Sequence, residues 1–354
     1  MQHTLAQQTH HEDDFLEYAL QHQFGNIHCK VDPETGMKAI IAIHNTNLGP
    51  ALGGCRFIEY DNSRAALFDA MRLARGMSYK SAIAGLPLGG GKSVIIKPKT
   101  AFDRAAYFHV FGKFVQELNG QYITALDSGT ELSDMDIIAE HTPHVASLSC
   151  DDGNPARATT MGVLRGIQAA VAFQTQRDSL AGITVAIQGL GHVGYLLSQY
   201  LHDLGAKLIV ADVDAARVSK VETEFGAQSV STKDIHKVPC DVFSPCALGA
   251  VINDATIPEF QTKIIAGAAN NQLAHAFHGQ ILHGKGILYA PDYVINAGGV
   301  IFACGKYFRT PEADVQKNVD RIGQSLTRVF TRSQQEQKPT SQIADQMAEE
   351  ILQG

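Results

Sequence analysis

The sequence predicts an α/β fold in two domains, the second a doubly wound parallel sheet, on three observations. At 354 residues the chain is longer than one compact core usually organises. Hydrophobic residues make up 45% and charged residues 18%, ample apolar material for buried sheets and helices. From Ile183 onward, short β-branched runs alternate with helical stretches, the pattern of consecutive βαβ units.

The elements follow in chain order. Met37 to His44 (MKAIIAIH) reads as a buried strand, and Asn62 or Ser63 can cap a helix carrying Leu67, Ala70, Met71, Ala74 and Met77 on one face. Leu86 to Lys92 (LPLGGGK) holds three consecutive glycines, too many for a stable helix, and reads as a glycine loop presenting Lys92 at the mouth of a strand, Ser93 to Lys97. A helix with Phe108, Phe111, Phe114, Val115 and Leu118 at helical spacing ends at Asn119-Gly120. Tyr122 to Leu126 is again strand-like, with Asp127 just beyond it. The polar, breaker-rich run Asp151 to Pro155 marks the candidate junction between domains. Beyond it the strand runs are Ile183 to Gln188, Lys207 to Ala211, Asp241 to Ser244, Lys263 to Ala266 and Gly286 to Tyr289. Thr310-Pro311-Glu312 starts a helix striped by Val315, Val319, Ile322, Leu326 and Val329, and Ile343, Met347 and Ile351 mark a final one.

A formal charge of −7 gives no electrostatic reason to expect a nucleic acid or an anionic membrane as partner. Cys29, Cys55, Cys150, Cys240, Cys246 and Cys304 are scattered and form no CxxC pair, which argues against a zinc ribbon. The N-terminus is rich in Gln, His, Glu and Asp rather than basic and then apolar, and no later run is apolar enough to span a bilayer. Cytoplasmic residence with reduced thiols is the expectation. His275, His278 and His283 cluster in sequence, but no carboxylate or cysteine completes a ligand set, so no metal is expected.

The chemistry begins at Gly189-Leu190-Gly191-His192-Val193-Gly194, set between the strand Ile183 to Gln188 and a helix running through Leu196, Leu197 and Tyr200. Gly189 allows the tight turn, Gly191 lets the backbone approach a pyrophosphate, and Gly194 lets the helix pack closely on the sheet. The helix N-terminus offers its N–H groups to the phosphates. At the end of the next strand, Asp212 is placed to accept hydrogen bonds from the adenosine ribose hydroxyls and to repel a 2′-phosphate, which selects NAD over NADP. His192 and Val193 lie inside this cofactor motif.

The first domain offers two lysines and an aspartate at breaks in regular structure: Lys80 in GMSYK, Lys92 in GGGK and Asp127 in ALDSGT. Singly, each reads as a surface or turn residue; together they form a pattern. Through GPALGGCR, DAMRLARGMSYKSAIAGLPLGGGKSVII, ALDSGTELSDMDII, FSPCALG and APDYVINAGGV the sequence resembles the glutamate/leucine/phenylalanine/valine dehydrogenase family, leucine dehydrogenases above all, from about Met37 to about Tyr307.

That resemblance implies an N-terminal α/β substrate and oligomerisation domain with a mixed sheet over residues 1–148 and a Rossmann NAD-binding domain over 149–325. The terminal helices 326–354 would pack back on the first domain. It implies that Lys80 binds a substrate carboxylate, aided by the backbone of Gly53, Gly54 and Gly90. Lys92 would be the catalytic base, its pKa lowered by partial burial and a second cation, activating water to attack an iminium while Asp127 shuttles protons at the amino nitrogen. Asn271, with Asn270 as the competing assignment, and Asn296 match residues that orient the substrate amine and the nicotinamide amide. The implied partners are an L-amino acid, its 2-oxo acid and ammonium, in a homo-oligomer.

By the same resemblance Leu52, Gly53, Ala125, Val300 and Ala303 line the substrate side-chain pocket. Glutamate-specific relatives carry a lysine where this chain has Leu52, and a glutamate side chain buried there would be unpaired, at a cost of several kcal/mol. An apolar branched substrate is expected. Ala303 stands where leucine-active relatives often carry a larger branched residue, so phenylalanine is the alternative, with discrimination of roughly 1–3 kcal/mol per methylene-scale difference. Cys55, Ser128 and Glu131 also depart from the family pattern. A non-catalytic NAD-binding regulator is the competitor from another class, opposed by the intact lysine pair and aspartate. A 2-hydroxy-acid dehydrogenase would need a His-carboxylate pair with an arginine, and none is recognisable.

Overall fold

The computed structural model describes residues 14–354; the polar N-terminal stretch read above lies mostly outside them. The chain folds as two units. The first comprises the residues through Asp152 with Lys306–Arg309 and Ile351–Gly354, and the second Gly153–Gly305 with Thr310–Glu350.

The first unit begins with α1 (Phe15–Gln21), β1 (Asn26–Val31), β2 (Lys38–Asn45) and β3 (Ala51–Ile58). It continues through α2 (Ser63–Ile83), β4 (Gly89–Ile96), α3 (Arg104–Glu117), β5 (Tyr122–Leu126) and α4 (Leu132–Ala139). Asn62 caps α2 by accepting the Ala65 N–H at 2.9 Å. The five strands form one mixed sheet in the order β1-β2-β4-β3-β5, with β1 and β4 antiparallel to β2, and β4 and β5 parallel to β3. Both faces are covered, so β2 is apolar without a break from Ala39 to Ile43 rather than alternating. Ile41 and Ile43 join Phe57, Phe108, Phe111, Tyr122 and Met135 on one side. Ile40 and Ala42 join Ala66, Ala70, Met71, Ala74 and Val94 under α2 on the other.

One local expectation is corrected. Gly89, Gly90 and Gly91 are not a loop before the strand but its first half, with Lys92 in the middle of β4. Pairing on both edges, with β2 and with β3, supplies the hydrogen bonds that offset glycine's backbone entropy, and the crowding described below leaves those positions no room for side chains.

The second unit holds α5 (Pro155–Thr175), β6 (Thr184–Gln188), α6 (His192–Asp203), β7 (Lys207–Ala211), α7 (Ala215–Phe225) and β8 (Gln228–Ser229). There follow β9 (Val242–Pro245), β10 (Ile264–Ile265), α8 (Phe277–Gly284), β11 (Leu288–Tyr289), α9 (Asp292–Ile295), α10 (Gly298–Tyr307, its last two residues in the first unit), α11 (Glu312–Glu336) and α12 (Thr340–Gln353). All six strands are parallel, in the order β11-β10-β9-β6-β7-β8, and the chain reverses its direction of growth between β6 and β9. This is the doubly wound order, whose ligand crevice lies at the carboxyl ends of the strands at that switch point.

Of the segment 326–354 expected against the first domain, residues up to Glu350 belong to the second unit, and only Ile351–Gly354 belong to the first. The stripe on α11 explains why. Val319, Ile322, Leu326 and Val329 are buried, and α5 meets them with glycines. A Cβ on Gly162 would lie 2.6 Å from Ile322 Cδ1, and one on Gly166 2.8 Å from Leu326 Cδ1. Arg165 adds an ion pair to Asp320 at 2.7 Å. Among the described residues no helix is long and apolar enough to cross a membrane.

Candidate active site

In the first unit β3 lies between β4 and β5, so Leu52 pairs with Gly90 on one side and Gly54 with Ala125 on the other. Side chains from β4 and from the end of β5 can meet only if β3 carries none between them, since neighbouring strands are about 4.8 Å apart. Gly53 and Gly54 meet that requirement. A Cβ on Gly54 would sit 2.7 Å from Asp127 Cβ, and one on Gly53 would overlap the Gly91 carbonyl. Over this bare stretch the Lys92 ammonium and the Asp127 Oδ2 carboxylate oxygen form an ion pair. The two side chains are only 8% and 18% exposed, so little water screens the pair.

A third charge joins them. Arg56 Nε lies 3.7 Å from Asp127 Oδ2 while its Nη1 donates to Asp69 Oδ2 at 2.8 Å. Tyr60 donates to the same Asp69 oxygen at 2.7 Å, and Arg72 to Oδ1 at 2.9 Å. Burial lowers the Lys92 pKa below the usual lysine range against the attraction of Asp127, and Arg56 lowers it further. Burial alone would raise Asp127, but Lys92 and Arg56 together hold it below the usual carboxylate range. The adjacent Cys55 thiol is pushed up to about 12 by burial, which keeps it protonated and inert.

The Asp127 turn is tied down by its neighbours. Asp127 accepts the Ser128 N–H at 2.7 Å, and the Thr130 hydroxyl accepts the Asp127 N–H at 3.0 Å. Gly129, at φ +85°, passes against the Phe57 carbonyl, where a Cβ would collide. Arg104 grips Asp134 of α4 through two bonds of 2.9 and 2.6 Å and donates to the Gly129 carbonyl at 2.9 Å. Glu131 and Asp134 complete a capping box at the start of α4, which accounts for the acid at that position. Beneath the pair, the Tyr122 hydroxyl lies 2.6 Å from the Gly53 carbonyl and 3.0 Å from Ser93 Oγ.

Lys80 stands in the last turn of α2. That turn reaches the sheet because Gly90 has no side chain: a Cβ there would overlap the Ser78 backbone nitrogen. Leu52 and Ala125 are buried, at 2% and 6% exposure, and give this part of the sheet an apolar surface. The structure thus brings Gly53, Gly54, Gly90, Lys92, Ala125 and Asp127 together on three adjacent strands and the turn after β5. Asp69, Tyr60 and Tyr122 escaped the sequence reading. The Tyr122 ring, which a Cβ on Gly91 would strike at 2.8 Å, is the hidden partner of the glycine run.

In the second unit the dinucleotide motif is tested by its own geometry. Gly189 has φ +96° and donates to the Ala211 carbonyl at 2.8 Å. A Cβ on Gly194 would overlap the Gly189 carbonyl, whereas a Cβ on Gly191 would meet only open space. The N-terminus of α6 at His192 and Val193 has no side-chain cap, so its N–H groups remain for an anion. Asp212 is held at the end of β7 by the N–H groups of Leu190 and Asp214, at 2.5 and 2.8 Å. Asn296 donates to the Ala268 carbonyl at 3.0 Å and to Asn270 Oδ1 at 2.7 Å, while its own Oδ1 is buried without a partner. An orphaned buried acceptor beside the switch point suits the amide of a nicotinamide ring. The residues present therefore fit a dinucleotide. Asn271 occupies a left-handed turn at φ +51°, and Val300 and Ala303 are buried on α10. His278 caps the turn before α8, accepting the His275 N–H at 2.9 Å, and its Nε2 lies 3.3 Å from Asp254.

Residues 22–144 match the family described as Glu/Leu/Phe/Val dehydrogenase, dimerisation domain, and residues 210–348 match Glutamate/Leucine/Phenylalanine/Valine dehydrogenase. The chain is 50% identical to leucine dehydrogenase of Geobacillus stearothermophilus over 324 residues, 91% of this chain and 88% of the relative. It is 45% identical to L-tryptophan dehydrogenase of Nostoc punctiforme over 318 residues, 89% and 90% of the two chains. The crystal structure of L-tryptophan dehydrogenase from Nostoc punctiforme superposes with a TM-score of 0.87, covering 96% of this chain and 98% of that one at 40% identity.

Proposed function

The chain belongs to the glutamate/leucine/phenylalanine/valine dehydrogenase family and is an amino-acid dehydrogenase, an oxidoreductase that uses a nicotinamide dinucleotide; from that premise we propose that it uses NAD to deaminate leucine and similar branched-chain L-amino acids reversibly, releasing the 2-oxo acid and ammonium. The single observation that carries the assignment of roles is the buried Lys92–Asp127 pair with Arg56 beside it. A lysine whose pKa is lowered can serve as a neutral base near physiological pH. In the proposed reaction Lys80 holds the substrate carboxylate beside the backbone of Gly53, Gly54 and Gly90. Asp127 moves protons at the substrate nitrogen, and Lys92 takes the proton of the water that attacks the iminium carbon. A bound nicotinamide would supply the acceptor for the hydride that leaves the substrate Cα. Gly189, Gly191, Gly194, His192 and Val193 would hold its phosphates, Asp212 its adenosine ribose, and Asn296 with Asn270 its amide.

Leu52 and Ala125 favour an uncharged side chain, because a glutamate carboxylate against them would be buried unpaired, and Val300, Ala303 and Asn271 are proposed as the substrate-contacting residues of the second unit. A panel of L-leucine, L-valine, L-phenylalanine, L-tryptophan and L-glutamate, each with NAD and with NADP, tests the proposal. Fastest NADH formation with leucine or valine and none with glutamate is expected; preference for glutamate or for NADP refutes it. The small side chain of Ala303 favours one second reading, an aromatic substrate, which the same panel separates. We also propose a cytoplasmic homo-oligomer: the match over residues 22–144 is to a dimerisation domain, and all six cysteines are free thiols.

A further inference from the structure

Three side chains that this chemistry does not use converge where α4 ends. His109 projects from α3, and Glu140 and His141 follow the last turn of α4, their N–H groups still bonded back to Asp136 and Ile138. His109 Nδ1 lies 2.9 Å from His141 Nε2 and 3.6 Å from Glu140 Oε2. One ligand atom from each residue falls within 4.8 Å of the other two. The imidazole planes stand 81° apart, so the rings meet edge-on rather than stacked. Gly112, one turn after His109, makes room for this arrangement, since a Cβ there would lie 3.2 Å from both Cβ and Cδ2 of His141.

Tetrahedral ligands at about 2.0–2.1 Å from a zinc ion stand roughly 3.3 Å from one another. The 2.9 and 3.6 Å separations of His109 Nδ1 from its two neighbours bracket that value. We propose that His109, His141 and Glu140 form a binding site for a divalent transition cation of the Zn2+ class, with a fourth position open to water. Two imidazoles and one carboxylate suit Zn2+, Co2+ or Ni2+ rather than Mg2+ or Ca2+, which prefer oxygen ligands. The side chains of His109 and Glu140 are 41% and 60% exposed, so an ion can enter from solvent and keep a water ligand. Its binding joins α3 to the C-terminal end of α4, whose first turn is already tied to α3 by Arg104 and Asp134. Both ends of α4 would then be fastened to the N-terminal half of α3, and the ion would raise the melting temperature of the protein by mass action.

The test uses the untagged full chain and Co2+ alone, followed by equilibrium dialysis and visible absorption, with Zn2+ as competitor. Wild type should bind one more Co2+ per chain than His109→Gln or His141→Gln, Glu140→Gln should bind it more weakly, and Zn2+ should displace it. Addition of Zn2+ should raise the melting temperature of wild type and not that of His109→Gln. His141 backs onto Gly112, so its replacement could disturb folding; Glu140 lies at the surface, and Glu140→Gln keeps the test decisive. Equal stoichiometry and affinity in wild type and all three variants overturns the proposal. So does a thiolate charge-transfer band that accounts for all bound Co2+, which would place the ion on the exposed Cys29 or Cys150. Either failure leaves the dehydrogenase reading standing, because none of the three residues takes part in it.

Discussion

Removing either member of the Lys92–Asp127 pair should destabilise the protein, but by unequal amounts that Arg56 decides. Breaking a buried ion pair by deleting one partner typically costs about 3–5 kcal/mol, because the other charge is left without compensation. In Lys92→Gln the Asp127 carboxylate still has Arg56 Nε at 3.7 Å, a gross attraction of about 4–5 kcal/mol at an effective dielectric constant of 20, before desolvation. In Asp127→Asn the Lys92 ammonium loses its counter-ion beside Arg56, whose own charge stays paired with Asp69; the Lys92 pKa falls further because Asp127 no longer raises it, and the cost is full where Lys92 remains protonated. Asp127→Asn should therefore lie near the upper end of that range and Lys92→Gln near or below the lower end. The double variant should cost less than the sum. Urea midpoints of wild type, both single variants and the double variant measure this cycle. Equal single costs with strict additivity would refute the reasoning, since they would mean that the three charges do not share one desolvated site.

Arg56→Gln should move the rising limb of kcat/KM to higher pH: Lys92 works deprotonated, and one charge that holds its pKa down is gone. An unmoved limb would show that Arg56 does not act on Lys92. Asp69 is raised by burial but held low overall by Tyr60, Arg56 and Arg72, so its stabilisation is present above the usual carboxylate pKa and lost as pH falls through its lowered value. The stability gap between wild type and Asp69→Asn, read by denaturant titration, should accordingly be wide at pH 7 and close in acid. Gly194→Ala places a Cβ on the Gly189 carbonyl, an overpacking worth about 1–3 kcal/mol, and should weaken dinucleotide binding measured by fluorescence titration. Leu52→Lys should lower leucine turnover and bring glutamate turnover above background in the NADH assay; no glutamate activity would count against the placement of Leu52.

The parts of the molecule that local chemistry determines were legible in the sequence. The turn from Gly189 to Gly194, the acid at Asp212 and the stripe on α11 each express the needs of a few neighbouring residues. What depends on pairing between distant strands was not. The glycines before Lys92 read as a loop because their partners, β2 and β3, lie far away in sequence, and only those partners make three glycines tolerable in a strand. The same distance hid Tyr122, whose hydroxyl meets the Gly53 carbonyl across 69 positions. Lys92 and Asp127 stood out at breaks in regular structure and took their roles from the family resemblance, but their direct pairing over Gly54, and the support of Arg56 by Asp69 and Tyr60, belong to the folded sheet alone. His109 and His141, 32 positions apart, carried no motif at all.

L-Leucine deuterated at Cα, incubated with the protein and NAD, tests the reaction most directly. The label should pass to the nicotinamide ring, and Lys92→Gln should lower the steady-state rate by about 10²–10⁴, the usual contribution of a positioned base. Deuterium released to water, or a Lys92→Gln variant as fast as wild type, would contradict a hydride transfer served by that lysine.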